Sequence, residues 1–248
     1  ERPAARIVRA RALAGTGQLK EALAAYAEAA DSFGGTTLER YGAFCETARA
    51  QILAAAGDLQ GAAAAARKGT EIDPWYAPAR FWLGRLLVEA GQAHDARAVL
   101  EETEKKMESD GPPPAAFWLH VLRAEVRRGE GDLGAALSEI GKASSMPPEL
   151  TSPEVLRFTE ARVKEAFGDI PGAIASYRQG LEPLPRELWR DRVVTPLALY
   201  ELARLEERAG KPDAARGHYR AFLAEWDRAD MPVASVEDAR ARLKLLGG

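Results

Sequence analysis

The stretch Gly168-Asp-Ile-Pro-Gly-Ala-Ile-Ala-Ser-Tyr177 has a counterpart earlier in the chain, Gly57-Asp-Leu-Gln-Gly-Ala-Ala-Ala-Ala-Ala66. Superposing them on Ala173 and Ala62 brings four more segments into register, on Ala22, Ala96, Ala136 and Ala215. The six anchors are separated by 40, 34, 40, 37 and 42 residues. Five residues before every anchor stands a glycine: Gly17, Gly57, Gly91, Gly131, Gly168 and Gly210. Twelve before stands a small residue: Ala10, Ala50, Gly84, Ala124, Ala161 and Ala203. Glycine fills only 22 of 248 positions, so chance is a poor explanation for six hits at one spacing. A recurrence of this length marks a stack of similar supersecondary units.

Each recurring residue has a mechanical reason. The glycine ends the first helix of a pair, where a left-handed backbone costs it nothing. Asp58, Asp132 and Asp169 follow three of the glycines and suit the start of a second helix. The small residue and the anchor alanine let two antiparallel helices approach closely. One turn beyond the anchor a larger side chain fills the groove, as Tyr26, Leu100, Ile140, Tyr177 or Tyr219. Ala66 breaks that rule, so the second pair is expected to pack more thinly.

Punctuation agrees with this division. Thr36-Thr-Leu-Glu39 and Ser235-Val-Glu-Asp238 read as capping boxes, and Ser152-Pro153 places proline at a helix start. Pro171 and Pro212 fall in the first turns of second helices, where the missing N–H does no harm. The residues beyond a 34-residue period fall in connections at 34–35, 109–114 and 184–194. The expected architecture is all-α: one domain over 1–248, with helix pairs at about 4–33, 38–72, 76–107, 115–145, 152–182 and 195–228. A helix over 234–246 is expected to cover the open apolar end, as stacked repeats require.

From about residue 4 to 246 the pattern resembles the tetratricopeptide repeat (TPR) family. It departs from the fullest form of that family in lacking an early tryptophan in the first helices, where Arg6, Glu46, Arg80, His120, Arg157 and Leu199 stand. Nine residues before the anchor, Leu13, Leu53 and Leu87 give way to Arg127, Lys164 and Glu206, so the C-terminal half is more divergent. The resemblance implies a right-handed α-α superhelix of six pairs, with the first helices lining a concave wall that binds a protein or peptide. Chaperone-tail binders of the family hold a terminal carboxylate with asparagines, and this chain has none. A second resemblance lies in Tyr219-Arg-Ala-Phe-Leu-Ala-Glu-Trp-Asp-Arg-Ala-Asp230 and Ala239-Arg-Ala-Arg-Leu243. These look like the closing repeat of helical regions attached to bacterial eukaryotic-like serine/threonine kinases. That would make the chain a sensor, regulatory or oligomerising part of a larger signalling protein.

Composition narrows the chemistry. Apolar residues make up 46% and charged residues 29%, a folded composition dominated by alanine, the strongest helix former. Net charge is −3 with both signs interspersed, and no basic stripe of the kind that displaces counterions from nucleic acid is present. No run has the length of a membrane span. The lone Cys45 excludes an intrachain disulfide and leaves the redox compartment open, with the cytoplasm of a high-GC bacterium as the expectation. The chain starts without methionine, as a piece of something longer does. His94, His120 and His218 are too dispersed for a metal motif, and neither a phosphate-binding loop nor a nucleophile elbow occurs. No metal, no cofactor and no catalytic constellation are expected.

Positions fifteen, eleven and eight before each anchor form an i, i+4, i+7 stripe on the first helices. The first row is Ile7, Thr47, Phe81, Val121, Phe158 and Tyr200; the second is Arg11, Gln51, Arg85, Glu125, Arg162 and Arg204. The third is Ala14, Ala54, Val88, Arg128, Glu165 and Glu207. Gln51, Phe81, Arg85, Glu125, Phe158, Arg162, Tyr200 and Arg204 are the expected partner-binding residues, with the aromatic–arginine character of interface anchors. Arginines gripping carboxylates point to an acidic partner. Aromatic residues on the outer helices leave self-association open.

Overall fold

In the computed structural model, which describes residues 2–35, 38–110, 113–182 and 193–247, all six repeat glycines adopt positive φ, between 69° and 85°. Each such turn ends one helix and releases the next antiparallel to it. The pairs are α1 (Pro3–Gly15) with α2 (Leu19–Asp31), α3 (Glu39–Ala55) with α4 (Leu59–Ile72), and α5 (Ala77–Glu89) with α6 (Ala93–Asp110). Then come α7 (Pro113–Gly129) with α8 (Leu133–Ser144), α9 (Pro153–Phe167) with α10 (Ile170–Leu181), and α11 (Val194–Arg208) with α12 (Pro212–Trp226). A single helix, α13 (Ala234–Leu245), follows, and no strand occurs among the described residues.

Local chemistry accounts for the helix starts. Asp58, Asp132 and Asp169 accept the backbone N–H of Gly61, Ala135 and Gly172 at 2.8, 3.1 and 2.9 Å, capping α4, α8 and α10. Pro153, Pro171 and Pro212 all lie in first turns. Ser235 does not cap α13: the helix begins at Ala234 behind an extended Val233, and the Ser235 hydroxyl is buried without a partner. The box containing Thr36 and Thr37 lies outside the described residues, as do positions 111–112 and 184–192 of the longer connections.

All six anchor alanines have no solvent-accessible surface, and neither do Ala10, Ala50, Ala124, Ala161 and Ala203 opposite them. At Gly84 a Cβ would collide with the Leu122 side chain. The α3–α4 pair is not thin, contrary to expectation. Its interface of Ala62, Ala63, Ala65, Ala66 and Gly69 draws the backbones together until a Cβ on Gly69 would stand 3.3 Å from the Ala43 carbonyl. Small side chains close the distance instead of leaving a gap. Consecutive pairs then stack in chain order, with α3, α5, α7 and α9 side by side.

The stack does not end open. The Trp226 indole Nε1 donates to the Ala14 carbonyl at 3.1 Å, and the Asp230 backbone N–H donates to the Gly17 carbonyl at 3.2 Å. The Asp230 carboxylate accepts the N–H groups of Lys20 at 2.8 Å and Glu21 at 3.4 Å, so a residue from the far end caps α2. Gly17 is needed twice: for its positive φ, and because a Cβ there would lie 3.4 Å from both the Glu225 carbonyl and the Trp226 Cα. Ala10, Ala14, Leu19, Tyr219, Phe222, Trp226, Val236 and Ala239 share one buried cluster. The last helix covers the end of the stack as expected, and the contact with the N-terminal pair is additional to it. The helix α13 packs on α12 and α11, and the N-terminal pair seals against the end of α12.

Replacing Trp226 with alanine should cost about 3–5 kcal/mol, as for other buried aromatic truncations. Replacing Asp230 with alanine should cost about 1 kcal/mol, the worth of a cap. Hydrogen exchange checks both: amides of α2 should lose protection ahead of those in α5 to α8. Unchanged exchange in α2 would show that the two ends do not hold each other.

Candidate functional site

The inward faces of the first helices enclose a cavity of about 700 Å³. Its lining comes from α3 (Gln51, Ala54), α5 (Trp82, Arg85, Glu89), α7 (Arg128), α9 (Phe158, Arg162, Glu165), α11 (Leu197, Tyr200, Glu201), α10 (Tyr177) and α13 (Asp238). Five of the eight expected binding residues reach this lining: Gln51, Arg85, Phe158, Arg162 and Tyr200.

The other three are elsewhere. Phe81 is buried beneath the wall, its ring centroid 5.8 Å from Trp82 and 5.6 Å from Trp118. Glu125 is fully buried under the arginines. Arg204 lies outside the lining, paired with Glu201 at 2.5 Å, with its guanidinium 5.9 Å from the Tyr200 ring. In the first expected row, Thr47, Phe81 and Val121 fill space between neighbouring helices. The inward face takes in Phe158, Tyr200, Ala54, Arg128 and Glu165 of the expected rows and extends one position beyond them. Trp82 and Glu201 stand fourteen before their anchors, and Ala55, Glu89 and Ala166 seven before, with Gln51, Arg85 and Arg162 between them.

Sequence reasoning missed Trp82, Glu89, Tyr177, Glu201 and Asp238. Glu89 follows Arg85 by one helical turn, so that pair was readable. Tyr177 was recognised only as a groove filler. The contribution of α13 depends on its place beside α11, which no local spacing encodes.

Electrostatics organise the floor. The Glu125 carboxylate accepts from Nε of Arg162 and Nε of Arg128, each at 2.8 Å. Burial alone would push its pKa up, but Arg162, then Arg128 and Arg85, overcome this and hold it down at about 2. Arg85 is paired with Glu89 at 2.8 Å and lies over the Trp82 ring, 4.4 Å from its centroid. At the other side Tyr200 donates its hydroxyl to Asp238 at 2.8 Å. Burial pushes the pKa of Glu201 up; Arg204 opposes this, while Glu165 and Glu89 add to it. Each described arginine of the lining, Arg85, Arg128 and Arg162, is therefore already paired with a carboxylate.

Elsewhere the chemistry is structural. Burial raises the Cys45 thiol to about 12, well away from the thiolate a nucleophile requires. His120 pairs with Glu139 at 2.6 Å and His218 with buried Glu206 at 2.7 Å. Among the described residues no cluster of three metal-ligating side chains occurs, and no helix is long and apolar enough to cross a membrane.

Because the pKa of Glu125 is depressed on folding, its contribution is full above the ordinary value of 4.5 and is lost as pH falls toward 2. Glu125→Gln should therefore destabilise the chain at pH 7 by on the order of 3 kcal/mol, since it leaves two buried guanidinium groups underpaired. It should also flatten the stability curve between pH 4.5 and 2. Denaturant melts across that range provide the check, and a variant curve parallel to the parent's would refute the assignment.

Models of the family described as tetratricopeptide repeat match residues 53–115 and 3–28. No curated protein sequence matches the chain. Among solved structures, a thermophilic TPR protein of Thermus thermophilus superposes with a TM-score of 0.53 at 21% identity, covering 82% of this chain and 98% of that one. A tetratricopeptide repeat protein from Parabacteroides merdae gives 0.58 at 14% identity, covering 99% and 84%. At such identities the likeness is one of fold. The chain carries tetratricopeptide repeats and adopts the all-helical superhelical fold of TPR proteins.

Proposed function

We propose that this chain is a non-catalytic docking scaffold that receives a short stretch of a partner polypeptide in its central cavity. The fold is one that generally serves protein interaction, and the cavity carries the reading. Its volume, about 700 Å³, lies within the roughly 300–1,000 Å³ typical of ligand sites and suits a few side chains rather than a folded domain. Tyr200 and Leu197, both only half-buried, offer apolar surface, while the guanidinium groups of Arg85 and Arg162 offer donors for main-chain carbonyls. Their positions are set by packed helices and paired charges, so little ordering is left to occur on binding.

Placing a photoreactive residue at Ala54 or Leu197 tests this directly, since both line the cavity. The exposed outer position Gln60 serves as control. Both inner probes should attach to the same short segment of one host protein, and the outer probe should not. Attachment through Gln60 alone, or different segments at the two inner positions, would reject the cavity as the docking site.

A further inference from the structure

We infer that the group selected by this cavity is a cation, a lysine or arginine side chain of the docked polypeptide, received among Glu89, Glu165, Glu201 and Asp238. This rests on the docking reading above and adds the chemistry of the ligand.

The four carboxylates come from four helices, α5, α9, α11 and α13, and all line the cavity. Each is held through one oxygen only. Glu89 Oε1 accepts from Arg85 at 2.8 Å, Glu165 Oε1 from Arg208 at 2.5 Å, and Glu201 Oε2 from Arg204 at 2.5 Å. Asp238 Oδ2 accepts from Tyr200 at 2.8 Å and from Arg242 at 2.6 Å. The second oxygen of each carboxylate accepts no bond from any described residue and is not among the buried unpaired atoms. Four acceptors are therefore left open around one space.

The described cations of the lining are open in part: Arg85 is engaged by Glu89 and Arg128 by Glu125, each through Nε alone, whereas Arg162 is engaged by Glu125 through Nε and Nη2 and by Thr159. An anionic ligand seated on Arg162 would have to draw it from a fully buried carboxylate, and one seated on Arg85 would face Glu89. A cationic ligand displaces nothing. It enters where Glu165 and Glu89 already act unfavourably on Glu201, and it relieves that repulsion. The arginines that counter these acids from outside the lining, Arg204, Arg208 and Arg242, each reach only one oxygen. Tyr200 and Leu197 provide the surface on which a lysine or arginine stem lies while its head reaches the carboxylates.

Calorimetric titration of the whole chain with three decapeptides, lysine-rich, aspartate-rich and glycine–serine, decides the matter. The chains compared are the parent, the double variant Glu165→Gln/Glu201→Gln, and the cavity-filling variant Ala54→Trp, each with its helix content verified by circular dichroism. The lysine-rich peptide should bind the parent, weaken by at least about tenfold in the double variant, and lose binding in Ala54→Trp. If the double variant does not fold, Glu89→Gln takes its place, with a loss of about threefold or more. Undiminished lysine-peptide affinity in these variants would overturn the inference. So would a preference for the aspartate-rich or neutral peptide that Ala54→Trp abolishes, and in that case docking itself stands. No binding of any peptide would remove both.

Discussion

In every pair, two helix backbones come so close that nothing larger than a methyl group fits between them. The anchor alanines and their alanine partners have no accessible surface, and at Gly84 a methyl group would meet the Leu122 side chain of the next first helix, α7. Much follows from that constraint. Close antiparallel contact leaves a groove on one side, which Tyr26, Leu100, Ile140, Tyr177 and Tyr219 fill. Filled grooves seat the following pair, and the first helices then stand side by side as a continuous wall. The cavity is a consequence of how narrowly each pair is built.

A stack of repeats is ordinarily a one-dimensional object whose stability is a sum of neighbour terms. The contact between Trp226 and Ala14 joins residues 212 apart and adds a term that no neighbour supplies. Closing so long a loop would be entropically costly in a flexible chain. Here the intervening pairs have already fixed most of that freedom, so the seam needs only to exclude water between surfaces held near each other. It also couples the two ends: loss of order beyond α12 uncaps α2, and loss of order in α1 and α2 strips the Trp226 indole of its acceptor. The segment from Tyr219 to Asp230, whose sequence looks like a closing repeat, has this seam as its structural work. That work is sufficient reason for its aromatic content.

The fold was legible because its signals are local. Six glycines with positive φ, three aspartate caps and two rows of small residues each report on contacts within a few turns of chain. Closure was not legible, because it depends on small rotations accumulated over six pairs, and spacing carries no record of them. The inner wall was read only in part for a related reason. The face pointing inward depends on how first helices lean on one another, so Phe81 and Glu125 went under the wall while Trp82 and Glu201 came onto it. Glu206 shows a further limit. A carboxylate at a position filled by leucine in earlier repeats marks a divergent repeat, and it is fully buried between Arg178 at 2.6 Å and His218 at 2.7 Å. Pattern reading scores the residue, whereas packing depends on the residue together with partners from another helix.

Paired charges are an unusual lining for a surface meant to hold something, since a salt bridge withdrawn from water seldom adds net stability. Their value lies in position. Glu125 keeps Arg162 and Arg128 at fixed places on the floor, and the carboxylates around them each retain one unused oxygen. Each of these carboxylates is held by an arginine through one oxygen, so an entering side chain meets acceptors that need no rearrangement. Such a wall discriminates by charge and geometry more than it attracts by area. The apolar surface of Tyr200 and Leu197 does the opposite, accepting any apolar stem without reading its head. Together they make a cavity in which contact area is supplied by residues that tolerate variation, and selection by residues that the fold has already immobilised.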